Sequence, residues 1–499
     1  MKNTYINKAT IKNVILNESL AYENDLLVNR VWYTADASLI EQLFKKLQTG
    51  TDTVSSGRFW AAVPVNGLAI RKIHSGLPQM IVNTLTDLVA SDMNDIKIET
   101  DAEELTSAQQ EVWDNTATEN DFDEIICECL QSVLVDGDGC FKIKYDNEES
   151  QYPILDFASG DDVEYEYLGK KLITVKFKTI YTHKNKEYEL VETYSKGRID
   201  YNLYCKTKEV PLSSIPETQD LPGYVEFEKD IMLAIPVSFF KSTKYKNRGK
   251  SIFDGKTEAF DAYDEAISAW RDAERDGRSK NYIPEDLVPR DENGGELLRP
   301  NPFQLRYITL NGGINLDDSK IQTQSAEIDY EAHQAAIAQT LDLCLQGIIS
   351  PATLGINVGA EASGESQKQK KDMTAITRNH ITNKLEKVIK KLVKTVLDFY
   401  NYITTNEEHN IEVDFSFGEY GALDFGSKLQ MLSTAVPGQA VMSLETVIDE
   451  LWGDSKDDDW KAEELARLKE GDTMYEEVPF PDDKSIINPE EPEPEPEEE

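Results

Sequence analysis

Residues 363 to 403 carry the apolar spacing of one long helix. From Ile381, through Leu385 and Ile389, to Ile403, apolar residues recur every three or four positions. A helix of about 40 residues is about 60 Å long, which exceeds the usual length in globular proteins. Such a length indicates a coiled coil, a helical repeat or a strut within a larger assembly.

The opposite face of this predicted helix is basic, although the chain as a whole is acidic. At about 100° per residue, the lysines of its second half fall on the side away from the apolar stripe. The candidate basic residues of this face and of the helix start are Lys368, Lys370, Lys371, Arg378, Lys387, Lys391 and Lys394. On this segment alone, a surface helix with solvated lysines is an equally good interpretation.

The segment before the helix, residues 350–363, is composed mainly of small residues and carries one charge, Glu361. Such a segment can move without breaking buried hydrogen bonds, so a mobile loop is expected here.

The overall composition limits the possible functions. With 499 residues, 39% of them hydrophobic, the chain is long enough for several domains with a large core. A net charge of −40 argues against broad DNA binding, because phosphate contacts need clustered Lys and Arg. The C-terminal run 489–499 contains only Pro and Glu and is expected to be a disordered, solvating tail.

The cysteines and the hydropathy indicate the compartment. The five cysteines are dispersed and form no Cys-x-x-Cys pair, and no signal peptide precedes them, so a reducing cytoplasm is expected. No uncharged apolar run reaches about 18 residues, so no membrane span is expected.

No catalytic or cofactor motif is found in the sequence. The run Asp136-Gly-Asp-Gly139 lacks the glycine and the third ligand of a calcium loop, which favours a plain turn. The five histidines lack zinc-ligand spacing, and there is no phosphate-binding loop, dinucleotide fingerprint or nucleophile elbow. Acidic pairs such as Asp161-Asp162 have no clear partner cluster for two-metal chemistry. No catalytic residue, metal or cofactor is therefore assigned.

The order of predicted elements is informative. A helical start is followed by a mostly antiparallel β region over residues 140–240. Two helices, 251–276 and 327–349, then flank an insertion of some 50 residues rich in Pro, Gly and Asn. The loop, the long helix, a strand at 411–417 and shorter helices follow. This order predicts an α+β fold that is predominantly helical.

Several short motifs in this order are similar to those of portal proteins of tailed double-stranded DNA bacteriophages, especially those of siphophages of Gram-positive hosts. The similarity covers nearly the whole chain. The motifs are Phe59-Trp60, Arg71-Lys-Ile-His-Ser-Gly-Leu-Pro78, Gly137-Asp-Gly139 before Phe141-Lys-Ile-Lys, Arg248-Gly-Lys-Ser-Ile-Phe253, Phe260-Asp-Ala-Tyr263, Ser350-Pro-Ala-Thr-Leu-Gly355 and Ser363-Gly364.

The resemblance implies a ring of about twelve subunits around a central tunnel, with regions called wing, stem, clip and crown. By position, these would be a wing (1–250), a stem helix (251–278), a clip (279–326), a second stem helix (327–349), a tunnel loop (350–363), the long helix (364–404), a wing strand (405–420), a crown (421–475) and an acidic disordered tail (476–499).

The resemblance also implies site residues. In the tunnel loop, the DNA-near positions would be Thr353, Leu354, Asn357, Val358, Glu361 and Ser363, and the basic residues named above would face DNA. The clip would contact the terminase and the connector through Tyr282, Pro284, Pro289, Arg299 and Tyr307. The implied partners are further copies of the chain, double-stranded DNA, terminase, major capsid protein, scaffold and a head-completion connector, with no membrane. The implied location is the capsid portal vertex of the virion, after assembly in the host cytoplasm.

Two other function classes stay open. One is a head-to-tail adaptor or scaffold-like structural protein, for which 499 residues and an insertion between two helices are unusually elaborate. The other is a metal-dependent nuclease, which would need the paired carboxylates that the sequence does not clearly provide.

Overall fold

The computed structural model describes residues 18–47, 58–62, 71–278, 280–284, 307–310, 322–324, 327–356, 364–405, 409–418, 443–452 and 458–473. They divide into two compact units, residues 1–420 and residues 421–499. Helices and sheets both occur, which confirms the α+β prediction.

The first unit opens with helices and a short strand. In chain order these are α1 (Glu18–Tyr33), α2 (Ala37–Leu47), α3 (Leu77–Ala90), β1 (Lys97–Thr100), α4 (Glu103–Glu119) and α5 (Phe122–Asp136). Pro78 stands in the first turn of α3, where a missing backbone N–H costs nothing. Helix α5 ends at Gly137, whose φ of 99° reverses the chain directly into the next strand. The predicted plain turn at Asp136–Gly139 is therefore a helix-to-strand connection.

The predicted β region forms two antiparallel sheets. Its strands are β2 (Asp138–Lys144), β3 (Ile154–Ser159), β4 (Val163–Leu168), β5 (Lys171–His183), β6 (Lys186–Ser195), β7 (Arg198–Cys205), β8 (Lys208–Val210), β9 (Tyr224–Glu226) and β10 (Ala234–Ser238). One sheet has the order β10-β2-β3, and the other has the order β4-β5-β6-β7-β8 with β9 also paired to β7. Strand β2 is buried along nearly its whole length because it is the central strand of its sheet and α5 packs on it.

The second half of this unit contains three described helices and four described strands. In chain order these are α6 (Thr257–Asp276), β11 (Lys280–Pro284), β12 (Tyr307–Leu310), β13 (Gln322–Gln324), α7 (Tyr330–Leu345), α8 (Gly364–Thr404) and β14 (Ile411–Asp414). Strand β14 pairs antiparallel with β1, about 300 residues earlier in the chain. Helix α8 has 41 residues, which confirms the predicted long helix.

One core joins these elements. Helix α8 packs against β10, β14, α3 and α4, and its apolar stripe enters the same cluster as α3, α5 and β2. The fully buried stripe residues are Ile381, Leu385, Ile389, Leu392, Val393, Val396 and Leu397. The apolar stripe of α8 is therefore covered by its own chain.

The second unit contains α9 (Leu444–Trp452) and α10 (Asp458–Thr473) among its described residues. Trp452 and Trp460 meet edge to face, with ring centroids 5.3 Å apart, and join the two helices. Residues 421–442 of the predicted crown lie outside the described residues.

Candidate functional site

Helices α6 and α7 pack side by side as a helical hairpin. At the end of α6, a Cβ atom on Gly277 would lie 2.3 Å from Cδ1 of Ile328, so the two ends of the hairpin approach closely there. At the other end of the hairpin, Lys256 Nζ donates to the carbonyl oxygens of Leu343 and Gln346, at 2.7 and 2.8 Å. A cation is favourable there because the last carbonyls of a helix carry partial negative charge. Burial lowers the pKa of Lys256.

Two buried carboxylates of α6 hold the N-terminal segments on the hairpin. Asp264 Oδ1 accepts the backbone N–H of Ser75 at 3.0 Å, and its Oδ2 accepts the indole N–H of Trp60 at 3.0 Å. His74 Nδ1 lies 2.7 Å from the same Oδ2. Asp261 accepts the backbone N–H groups of Phe59 and Trp60, at 2.8 and 3.1 Å.

These contacts join three of the motifs that carried the resemblance. The Phe59-Trp60 pair, the segment 71–78 and the start of α6 meet around Asp261 and Asp264, which are 6% and 0% exposed. Burial raises the pKa of Asp261, and the two backbone N–H donors oppose that rise. The motifs therefore form a structural joint and no catalytic centre.

Two further motifs meet at the turn after α5. Arg248 Nη1 lies 3.0 Å from Asp138 Oδ1, and the backbone N–H of Gly249 donates to Asp138 Oδ2 at 2.6 Å. A Cβ atom on Gly249 would lie 1.9 Å from the carbonyl oxygen of Gly137, so only glycine fits. Burial raises the pKa of Asp138, while Arg248 opposes the rise.

The predicted tunnel loop begins as an anchored turn. The N–H of Ser350 donates to Thr374 Oγ1 at 2.9 Å, and Thr353 Oγ1 lies 3.1 Å from the same oxygen. Leu354 and Ile356 pack against the main core. The expectation of a mobile loop is therefore wrong for Thr353 and Leu354. The other predicted loop residues, Asn357, Val358, Glu361 and Ser363, lie outside the described residues.

Arg378 corrects the predicted basic face of α8. It is 2% exposed, and its guanidinium donates to Asp92 Oδ2 at 2.6 and 3.0 Å and to the Gly418 carbonyl at 2.6 Å. The prediction that Arg378 faces DNA is wrong, because this side chain ties α8 to the end of α3 and to the segment after β14.

The predicted lysines of α8 fall into three groups. Lys387 and Lys391 are exposed, and Lys394 is exposed along its stem while its Nζ donates to the carbonyl of Ile411 at 3.0 Å. The backbone of Lys368, Lys370 and Lys371 is helical, but their side chains lie outside the described residues. Lys384, which is also exposed, was missed because it lies on the edge of the basic face drawn from sequence.

The predicted clip contains a three-stranded sheet in the order β12-β11-β13. Strand β11 pairs parallel with β12 and antiparallel with β13. Tyr282 and Pro284 lie in β11 and Tyr307 lies in β12, where Tyr282 pairs with Ile308. Pro289 and Arg299 lie outside the described residues.

The part of the chain that the structure describes offers neither a metal-binding cluster nor a membrane-spanning helix. Among those residues, no group of three or more His, Cys, Asp or Glu side chains could hold a metal ion. None of the helices described there is long and apolar enough to cross a bilayer.

Comparison with known proteins decides the family. A sequence model of the family "Phage portal protein, SPP1 Gp6-like" matches residues 6–477. The chain belongs to this family. It is a phage portal protein, a structural component of the virion and not an enzyme.

Solved structures with similarity to this portal protein come from gene transfer agent (GTA) particles. A chain from the neck of the native GTA particle, computed with twelvefold symmetry, is 11% identical at a TM-score of 0.35, covering 80% of this chain and 98% of that chain. A chain from the neck of the empty particle, computed with sixfold symmetry, is 9% identical at a TM-score of 0.38, covering 74% and 88%. No curated protein matches this chain.

Proposed function

We propose that this portal protein forms a closed ring of about twelve copies at one capsid vertex, and that double-stranded DNA passes through its central tunnel. The observation that carries the proposal is the helical hairpin α6–α7. Its two helices flank the small sheet β11–β13 in chain order, Asp261 and Asp264 of α6 hold the N-terminal segments on it, and residues 350–363 follow it and precede α8.

The electrostatics support a conduit that does not hold its DNA tightly. Each firm phosphate contact releases counterions and adds affinity, so a tunnel through which DNA slides needs few such contacts. A subunit with a net charge of −40 repels DNA over most of its surface. A short basic zone beside the loop would then give a shallow attractive region.

We assign that zone to the start of α8. Lys368, Lys370 and Lys371 lie within about two helical turns of Gly364, where the loop ends. Lys387 and Lys391 lie about 35 and about 40 Å from Gly364 along the helix, at about 1.5 Å per residue. The proposed DNA-near residues are therefore those three lysines together with Asn357, Val358, Glu361 and Ser363.

The remaining partners follow from the same proposal. The sheet that carries Tyr282, Pro284 and Tyr307, with Pro289 and Arg299, would meet the terminase during packaging and the head-completion connector afterwards. Residues 1–250 would contact major capsid protein and scaffold during assembly in the host cytoplasm.

The single substitutions Tyr282→Ser and Tyr307→Ser test the proposed role of the sheet. Rings should form normally while terminase-driven packaging falls, and normal packaging by both variants would contradict this assignment.

A further inference from the structure

An apolar groove and a basic stripe form one continuous surface on α7 and α8. The groove has a volume of ≈ 420 Å³ and is lined by Leu343, Leu345, Ile349, Pro351 and Met373 among others. The basic stripe consists of seven exposed residues of α8, which are Met373, Ile376, His380, Lys384, Lys387, Lys391 and Lys394. Met373 belongs to both the groove and the stripe and so connects them.

The stripe is straight along the helix. At about 100° per residue, its seven positions fall within an arc of about 80°, and they span about 30 Å of helix. Residues on the opposite side of α8 are fully buried in the core. The stripe is therefore the outer face of a helix whose inner face is already occupied.

The groove end of this surface is unusually apolar for an exposed position. Leu343, Met373 and Ile376 are 49%, 39% and 64% exposed. Contiguous exposed apolar groups at a groove mark interaction sites, because water contact with them is unfavourable. A partner that fills the groove and also covers Ile376 beside it would remove all three side chains from water.

The other end of the surface selects an acidic partner. Within the described residues, Lys384, Lys387 and Lys391 form no ion pair, and the exposed stripe from Met373 to Lys394 contains no acidic residue. The chain itself has a net charge of −40, so a second copy carries a large excess of acidic side chains. Charge complementarity of this kind favours the second copy and orients it.

The same charges decide the type of contact. In a twofold symmetric contact this surface would face itself and bring lysines against lysines. A contact between this surface and a different, acidic face of the next copy avoids that repulsion. Such head-to-tail contacts generate rings when the rotation closes.

DNA fits this surface less well. Phosphates would pair with the lysines, but a DNA duplex would gain no binding free energy from contact with the apolar groove or Ile376. We infer that the groove and the stripe together form one side of the contact between neighbouring subunits, with an acidic face of a second copy of this chain as the occupant. This inference rests on the proposed ring.

Paired substitutions test the inference through assembly. Leu343→Asp with Ile376→Asp should prevent ring formation, and so should the triple variant Lys384→Glu, Lys387→Glu, Lys391→Glu. The matched controls are Leu168→Asp with Ile180→Asp, at 75% and 68% exposure, and the triple variant Lys170→Glu, Lys171→Glu, Lys186→Glu. Native mass spectrometry should detect rings for the wild type and both controls. Rings formed by both stripe variants would overturn the inference.

Cysteine labelling tests burial directly, even if an aspartate variant fails to fold. Ile376→Cys and Ile180→Cys are compared in DNA-free rings by maleimide modification and peptide mapping, which separates them from the native cysteines. Burial should slow labelling at position 376 at least about tenfold relative to position 180.

Equal labelling at the two positions in intact rings would contradict the docking surface and leave the ring proposal standing. A wild-type chain that stays monomeric at high concentration would contradict both. Charge reversal that leaves the rings intact but weakens DNA retention would assign the lysines to DNA and overturn the inference.

Discussion

The buried carboxylate of Asp264 lies 2.7 Å from the imidazole of His74, which is 190 residues earlier in the chain. The same carboxylate accepts Ser75 N–H and the Trp60 indole N–H. One side chain of α6 thus holds two separate N-terminal segments. Because the His74 side chain and the Trp60 indole are buried together with Asp264, losing this carboxylate leaves their polar groups without a partner.

Asp264→Ala should therefore lower the stability of the chain strongly. Each orphaned buried group costs about 1–3 kcal/mol, so a loss of about 3 kcal/mol or more is expected. Urea unfolding followed by tryptophan fluorescence measures it, with Trp60 as a local reporter. The matched control is the exposed neighbour Glu265→Ala, which should change stability by less than about 0.5 kcal/mol. Equal effects of the two variants would show that the joint does not stabilise the fold.

Gly249→Ala should disrupt the joint between the turn after α5 and the segment before α6. The added methyl group would lie 1.9 Å from the Gly137 carbonyl oxygen, and backbone cannot move away cheaply. We expect a loss of more than about 2 kcal/mol, seen as a lower melting temperature and soluble yield. Gly223→Ala is the control, because an added Cβ there has no heavy atom within 4 Å. A melting temperature within a degree of the control would be incompatible with the close approach.

Arg378→Met should act on stability and leave DNA handling unchanged. It removes both hydrogen bonds to Asp92 and the one to Gly418, and partial exposure of Asp92 limits the loss to about 2 kcal/mol. Thermal unfolding of this variant is compared with that of exposed Lys170→Met, which should unfold like the wild type. Unchanged stability with a weakened DNA interaction would restore the interpretation that Arg378 faces DNA.

The sequence predicted those elements whose own pattern is strong. The stripe from Ile381 to Ile403 gave α8 nearly to the residue, and the β region predicted over residues 140–240 contains β5, β6 and β7. Helix α4, with its buried Gln109 and Trp113, has too few apolar positions for a clear period, so its own pattern does not define it.

The partners of each residue could not be predicted in the same way. Arg378 looked like another cation of the basic face, since spacing cannot reveal that Asp92 approaches from 286 residues away. The role of Asp261 and Asp264 depends on segments about 200 residues distant, so their carboxylates resembled ordinary charges of an acidic helix. The motif Phe260–Tyr263 contains Asp261 and ends one residue before Asp264. It is a motif of the family resemblance, and no local pattern of the sequence indicates a role for these two carboxylates.

Shortening the loop by deleting residues 358–362 should separate assembly from DNA handling. Rings should form as in the wild type, because the anchored turn at Ser350 and Thr353 and the core face of α8 are untouched. Packaged DNA retained per particle should fall. Deletion of residues 495–499 in the acidic tail removes the same number of residues and should affect neither property. Failure of the loop variant to form rings would refute this separation of roles.

The mass of the purified assembly tests the central claim most directly. Native mass spectrometry combined with electron microscopy of the wild-type chain should give closed rings of about twelve copies of the 56.4 kDa subunit, with an open centre wide enough for a DNA duplex. A stable monomer at high protein concentration, or one with divalent-metal-dependent nuclease activity, would contradict the account.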